Sequence, residues 1–355
     1  MKSILLVIIC CLCGYASSQD TLFQEIENVE IHASKEKEIV FGDSKHYVLD
    51  FYVGSKGKFL LLKRRKSYLV CSLDDELNIE SHLQLEFKPQ KLFADCLGFL
   101  HVLSSDSMYQ IEIVENKLII YETSPISLYH AFFENCITSN RSQLVVKHLE
   151  EFNQTTVFTG INRTNNQRNE LYRVEDPMLV HSAQDTYDSL MFYDPGDLAI
   201  MGGIKGYDLE FTYYYDFIHH HKQELNFFEQ IVTLPDYIPV FSMDDTTVIF
   251  DYMNEQVVLL DDGGQVQKAH PISFDTGRQI LFDQGTHQFY AAFIDKGAQV
   301  YGHLSTTDFE LESETKISKQ AHIPKAIIYG DMIYYLGKLS MSDNLNKLFR
   351  QRVKR

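Results

Sequence analysis

From Tyr47 onward the chain alternates short runs of Val, Ile, Leu, Phe and Tyr with punctuation by Gly, Asp, Asn and Ser. Runs of this length, many alternating apolar with polar residues, predict β-strands joined by tight turns. The clearest stretch begins at Tyr237. There Ile238-Pro239-Val240-Phe241 leads through a polar turn to Thr247–Met253, and the turn Asn254-Glu255 leads to Val257–Leu260. Asp261-Asp262-Gly263-Gly264 then turns the chain into Gln265–Lys268. Four such strands joined by hairpins predict one antiparallel sheet.

The same four-strand unit recurs about every forty residues, the mark of a repeat architecture. One copy runs through Tyr47–Phe51, Lys58–Leu62, Ser67–Val70 and His82–Phe87, and the next through Lys91–Phe93, Phe99–Leu103, Met108–Ile111 and Lys117–Tyr121. A third, more polar copy uses His130–Phe133, Gln143–Val146, Thr155–Phe158 and Asn169–Val174. After the unit at Tyr237 another follows through Gln279–Phe282, Gln288–Phe293, Gln299–Tyr301 and Phe309–Leu311. The last unit is one strand short, with Ala326–Tyr329, Met332–Leu336 and Lys347–Val353. Near the other terminus Glu27–His32, with Val29 and Ile31 alternating, has no unit of its own. A ring of sheets leaves no open seam when the first strand of the chain completes the last sheet, so residues 27–32 are expected there.

Between Val174 and Gln230 the pattern changes. Asp176-Pro177 is an N-cap followed by proline at the first helical position, and Leu179, Ala183, Tyr187 and Leu190 share a helical face before Asp194-Pro195-Gly196. Phe211, Tyr214, Phe217, Ile218 and His221 suit a second helix. A helical insertion at about 176–226 in a six-sheet ring is therefore expected; strand structure over Phe211–Ile218 would instead raise the count to seven.

The first residues carry a separate message. Lys2 precedes the uninterrupted apolar run Ile4–Cys13, which is too short to span a bilayer, and small residues follow at Gly14, Ala16, Ser17 and Ser18. Residues 1–18 thus read as an export signal, and 19–355 as a single mature domain, secreted or held in the periplasm or cell envelope. A lipid anchor needs a cysteine after a small residue, whereas Cys10, Cys11 and Cys13 follow Ile9, Cys10 and Leu12; the unanchored form is preferred. No later segment approaches the roughly eighteen consecutive apolar residues of a membrane span. Signal removal leaves Cys71, Cys96 and Cys136, an odd number with neither Cys-x-x-Cys nor zinc-type spacing, so one disulfide is left open.

Composition narrows the partners. The 49 acidic against 32 basic residues give a formal charge of -17, opposite to what phosphate backbones and anionic membranes require. Phe and Tyr number 24 and 21 with no Trp, an aromatic load that suits pleated, half-buried surfaces.

The sheet repeat, the export signal, Phe227–Val232 leading into Pro239-Val240-Phe241 and Val248–Tyr252, and the closing Asn346–Gln351 together resemble the bacterial six-bladed β-propeller proteins exported to the cell envelope, of the NHL-like kind. The resemblance implies an all-β propeller and a location outside the cytoplasm. It carries over no site residues, because it contains no catalytic signature.

Candidate chemistry is sparse. His219-His220-His221 invites a metal, but consecutive helical side chains diverge by about 100°, and on a strand only His219 and His221 share a face. Lys63-Arg64-Arg65-Lys66 reads as a hairpin tip, and Asp244-Asp245 and Asp261–Gly264 read as turns, without the spacing of an EF-hand. Asn140-Arg141-Ser142, Asn153-Gln154-Thr155 and Asn162-Arg163-Thr164 have the form of glycosylation acceptors, relevant in a host that glycosylates secreted chains. No Gly-x-Ser-x-Gly, Walker loop or His-Glu-x-x-His occurs. Hence no catalytic, cofactor or metal residue is assigned. The expected function is an exported, non-catalytic binding or scaffold propeller whose ligand is an extracytoplasmic protein, peptide or carbohydrate. The alternative is a calcium-dependent hydrolase with carboxylates converging in the axial channel.

Overall fold

Runs such as Leu60-Leu61-Leu62 and Phe289-Tyr290-Ala291 place large apolar groups on both faces of a strand, because successive side chains point in opposite directions. Sheets made of such strands are stable only when covered on both sides, and a ring of sheets provides that cover. The computed structural model describes residues 38–42, 46–150, 155–175, 181, 237–317, 323–338 and 346–354. They form six four-stranded antiparallel sheets, the blades of a β-propeller.

Blade 1 comprises β2 (Tyr47–Gly54), β3 (Gly57–Arg64), β4 (Ser67–Leu73) and β5 (Ile79–Leu85), and blade 2 comprises β6 (Lys91–Ala94), β7 (Leu100–Leu103), β8 (Ser107–Val114) and β9 (Lys117–Pro125). Blade 3 holds β10 (Cys136–Ser139), β11 (Gln143–Glu150), β12 (Thr155–Asn162) and β13 (Arg168–Glu175). Blade 4 holds β14 (Val240–Met243), β15 (Thr246–Asp251), β16 (Gln256–Leu260) and β17 (Val266–Pro271). Blade 5 holds β18 (Gln279–Asp283), β19 (Gln288–Asp295), β20 (Ala298–Leu304) and β21 (Leu311–Ile317). In blade 6, β22 (Ala326–Tyr329), β23 (Met332–Gly337) and β24 (Lys347–Arg352) are completed by β1 (Glu38–Phe41), paired antiparallel with Glu38 opposite Arg350 and Ile39 opposite Phe349. The ring therefore closes through an N-terminal strand, but the strand is 38–41 rather than 27–32, which lies outside the described residues.

Five of the joints between blades are apolar sheet-on-sheet cores. Val48, Phe51 and Leu60 of blade 1 meet Tyr334, Leu336 and Leu348 of blade 6, while Phe59, Leu61 and Val70 meet Leu100 and Val102 of blade 2. Phe158 and Leu171 meet Ile249 and Val258 between blades 3 and 4; Phe250 and Val257 meet Phe289 and Leu304 between blades 4 and 5. Tyr290 and Tyr301 meet Tyr335 and Phe349 between blades 5 and 6. Neighbouring strand positions such as Leu60/Leu61 and Phe289/Tyr290 thus enter different joints, as the pleat requires.

The joint between blades 2 and 3 is built differently. His130–Phe133, expected as a strand, belongs to a helical segment, Ile126–Leu128 followed by a π-turn over Tyr129–Phe133. Four apolar residues do not reveal their period, and here Ile126, Tyr129 and Phe133 share one face and pack on Leu103 and Met108. Phe93 meets the Tyr129 ring edge-on at 5.0 Å. The disulfide Cys96–Cys136, with Cα atoms 5.7 Å apart, joins the two blades, and the Ser139 hydroxyl donates to the Cys96 carbonyl. Cys71 is the buried free thiol. Phe309, expected to open the last strand of blade 5, instead sits at φ 61° before β21, its side chain buried against Phe250 and Phe289. The expected helical insertion at 176–226, residues 1–18 and His219-His220-His221 lie outside the described residues, His181 excepted, which is helical.

Candidate functional site

The first strand of blades 1 to 5, and β22 of blade 6 at the edge opposite β1, face one another: β2 touches both β6 and β22, β18 touches β22, and β10 touches β14. These strands form the inner ring around the axis. Its half-buried positions are predominantly apolar, among them Leu49, Tyr52, Phe93, Phe241, Leu281 and Ile327. Charged residues within the six strands are Asp50, Lys91 and Asp283.

Asp50 owes its position to a β-bulge. Val48 pairs with Leu62 and Asp50 with Leu61, so Leu49 is extra and the alternation shifts. A bulge re-aims the following side chain, and Asp50 points across to both adjacent blades. Its carboxylate accepts from the backbone N–H of Phe51 at 2.8 Å and of Leu92 at 2.7 Å, and from the Lys325 ammonium at 2.6 Å. Lys325 keeps a third of its side chain exposed and lies 5.4 Å from the centre of the Phe51 ring. Charge pairing and backbone donors together make burial of that carboxylate tolerable. Lys91 donates to the Tyr129 hydroxyl at 3.1 Å.

The other buried carboxylates follow the same rule. Asp283 accepts from the N–H groups of Gly285, Gly330 and Asp331, tying the turn after β18 to the turn after β22. Asp95 accepts from Leu97 and Phe99 N–H, and its second oxygen lies 2.9 Å from His101 Nε2. Asp251 accepts from Asn254 N–H and side-chain amide and from the Tyr172 hydroxyl of blade 3 at 2.9 Å. Thus each buried carboxylate among the described residues already holds donors that fasten a turn or join two blades. Near Asp95, the Tyr52 phenol is raised above the ordinary tyrosine value, first by burial and then by the adjacent Tyr329 and Asp95.

Tyr172 gives this network a titration. Burial first, and then the bond to Asp251, push its phenol up to about 12. A raised value in the folded state means that the stabilisation is complete below the unfolded tyrosine value of about 10 and is lost as pH rises towards about 12. Equilibrium unfolding in that alkaline window should show falling stability, and Tyr172→Phe should flatten the decline. An unchanged slope in the variant would contradict the assignment.

The polar motifs noted in the sequence stay in turns. Lys63, Arg64, Arg65 and Lys66 occupy the β3–β4 hairpin tip, all exposed, and Asp244-Asp245 the β14–β15 turn. In the turn Asp261–Gly264 the Asp261 carboxylate accepts from Gly263 and Gln265 N–H, with Gln265 the main cause of its lowered pKa. Among the described residues no group of three or more His, Cys, Asp or Glu side chains could hold a metal ion. No described helix is long and apolar enough to cross a membrane. Sequence reasoning missed Asp50, Asp95, Asp251 and Asp283 as a set. A usable signal was present only for Asp283, which directly follows the predicted strand Gln279–Phe282; Asp95 lies two residues past Lys91–Phe93, and Asp251 falls inside Thr247–Met253.

No family model and no curated protein matches the chain by sequence. Solved structures do match in shape. A member of the DUF4221 family from Bacteroides vulgatus aligns over 90% of this chain and 98% of its own at 10% identity, with a TM-score of 0.42. A luciferin-regenerating enzyme aligns over 89% and 95% at 9% identity and TM-score 0.40. Regucalcin, a calcium-binding protein from Agrobacterium tumefaciens, aligns over 89% and 92% at 8% identity and TM-score 0.35. Likeness at this level is confined to fold.

Proposed function

We propose that the chain is an exported β-propeller, akin to the bacterial envelope propellers it resembles in pattern, that binds an extracytoplasmic protein, peptide or carbohydrate without transforming it. One observation carries this reading. The buried carboxylates that could act as bases or cation ligands are Asp50, Asp95, Asp251 and Asp283, and each is saturated by donors from its own turn or a neighbouring blade. A general base needs an acceptor site facing its substrate, and calcium needs six to eight oxygens directed at one point. The inner ring instead presents apolar and aromatic surface beside the half-open Lys325, which is the composition of a recognition surface. The ligand is placed at the mouth where the chain enters the inner strands, beside Lys325.

Export is supported by the n-region and apolar run of residues 1–18, and by Cys96–Cys136, because disulfides persist in oxidising compartments. The mature protein is placed outside the cytoplasm, unanchored by lipid.

Two measurements test the proposal. Thermal unfolding in calcium and in EDTA should give coincident transitions; a transition raised by calcium and lowered by EDTA would restore the calcium hydrolase. Intact-mass analysis of protein recovered outside the cytoplasm should find residues 1–18 removed and Gln19 at the start. Retention of the N-terminal segment within the cell would overturn the export reading.

A further inference from the structure

Three Asn-x-Ser/Thr triplets occur in blade 3 and its loops, and the fold treats the two described ones in opposite ways. Asn140, in the β10–β11 turn, is 7% exposed. Its Oδ1 accepts from Ser142 N–H, Ser142 hydroxyl and Gln143 N–H, and its Nδ2 donates to Asp262 of blade 4 at 2.8 Å. That amide nitrogen is part of the joint between two blades. Asn162, itself half-buried, ends β12 at the base of the β12–β13 hairpin tip, where residues 163–170 are all exposed. Its Oδ1 accepts from Thr164 N–H at 2.9 Å and Asn165 N–H at 3.2 Å, which leaves Nδ2 without a hydrogen-bond partner. The hairpin tip is itself fixed, because Arg163 N–H donates to the Ser142 carbonyl at 2.8 Å and its guanidinium to the Asn140 carbonyl at 3.2 Å.

We infer that Asn162 is an N-glycan acceptor of the exported protein and that Asn140 is not, on the strength of a free Nδ2 at the base of an exposed hairpin tip in one case and an Nδ2 locked to Asp262 in the other. The inference rests on the export reading. The donor is an oligosaccharide linked through a diphosphate to a lipid. Transfer forms the bond from Nδ2 to the sugar's anomeric carbon and breaks that carbon's bond to the diphosphate oxygen. The lipid diphosphate leaves, one Nδ2 proton is lost to base, and no oxidant or reductant takes part. The bond from Thr164 N–H to Asn162 Oδ1 folds the triplet so that Nδ2 of the half-buried Asn162 and the hydroxyl of the exposed Thr164 belong to one turn. A sugar on Asn140 would displace Asp262 and wedge blades 3 and 4 apart, so folded molecules carry none there.

The test is expression of the full chain in a eukaryotic host that glycosylates secreted proteins, with Asn153→Gln in every version, since Asn153 lies outside the described residues. Secreted protein is treated with the amidase that releases N-glycans and turns their asparagine into aspartate, then mapped by peptide mass. The expected result is conversion at position 162 and none at 140. A mobility shift should persist in Ser142→Ala, which destroys the first triplet but leaves Asn140 in place, and vanish in Thr164→Ala. Secreted protein unmodified at Asn162, or carrying sugar on Asn140, overturns the inference. If residues 1–18 do not direct export, that reading fails by itself. Replacing them with a proven export signal then delivers residues 19–355, and the same two peptides decide.

Discussion

Exchange of Cys96 for serine is expected to lower the unfolding free energy by about 4 kcal/mol, the loop-closure value for a crosslink of this span. The bonded cysteines are 40 residues apart, so reduction frees a long segment of the unfolded chain. Position sharpens the expectation. Every other joint in the ring is an apolar core between two sheets, whereas blades 2 and 3 meet through a short helical segment, the Lys91–Tyr129 bond and this crosslink. A ring fails at its weakest seam, because opening one joint exposes the packed faces of both sheets. Denaturant unfolding of the wild type with and without reductant, beside Cys96→Ser and Cys96→Ala/Cys136→Ala, reads the effect as a shift of midpoint. Labelling of unreduced mature protein in denaturant should find a single thiol, that of Cys71. Three reactive thiols, or midpoints indifferent to reductant, would remove the crosslink from the account.

Phe289→Ala should cost about 3 to 5 kcal/mol, the range for truncating a fully buried phenylalanine. Phe289 is 0% exposed, and its ring lies 5.6 Å from those of Phe241 and Phe250, 4.8 Å from Phe282 and 5.7 Å from Phe309. Those four rings come from blade 4 and blade 5, on rigid strands and one constrained turn, so little can collapse into the space left behind. The upper part of the range is therefore expected, with Phe289→Leu recovering a portion. Tyr121, 62% exposed on the outer strand of blade 2, is the matched control, and Tyr121→Ala should change stability by no more than about 0.5 kcal/mol. Equal losses in the two variants would show that the blade 4 and 5 joint is not the close-packed core described.

The strand pattern was legible because a strand buried on both faces needs apolar residues wherever it runs, and turns need Gly, Asp and Asn. Blades 1, 2 and 4, the first three strands of blade 5 and β22–β24 of blade 6 accordingly fall where the periodicity places them. The misreadings share a cause. His130–Phe133 is too short to display a helical or an extended period, and Phe309 is apolar because it plugs a core from a turn rather than from a strand. Residues 27–32 alternate in a way that suits an edge strand, whereas 38–41 reads Glu-Ile-Val-Phe with no alternation; only pairing with β24 selects the second.

The site was less legible than the fold. Asp95 and Asp283 look like ordinary turn residues, and Asp50 and Asp251 like polar interruptions of an apolar run. Local composition was enough to dictate that four-stranded sheets recur, that both of their faces are covered, and that the last sheet borrows a strand from the N-terminal part of the chain, while the choice between six and seven sheets was left to the tertiary structure. Hydrogen-bond partners were beyond its reach: Lys325 meets Asp50 across 275 residues, and Asp262 meets Asn140 across 122. Such pairings depend on how the blades are arranged around the axis, a distance in space that no periodicity along the chain encodes, and they settle which carboxylates are occupied and which amide is free.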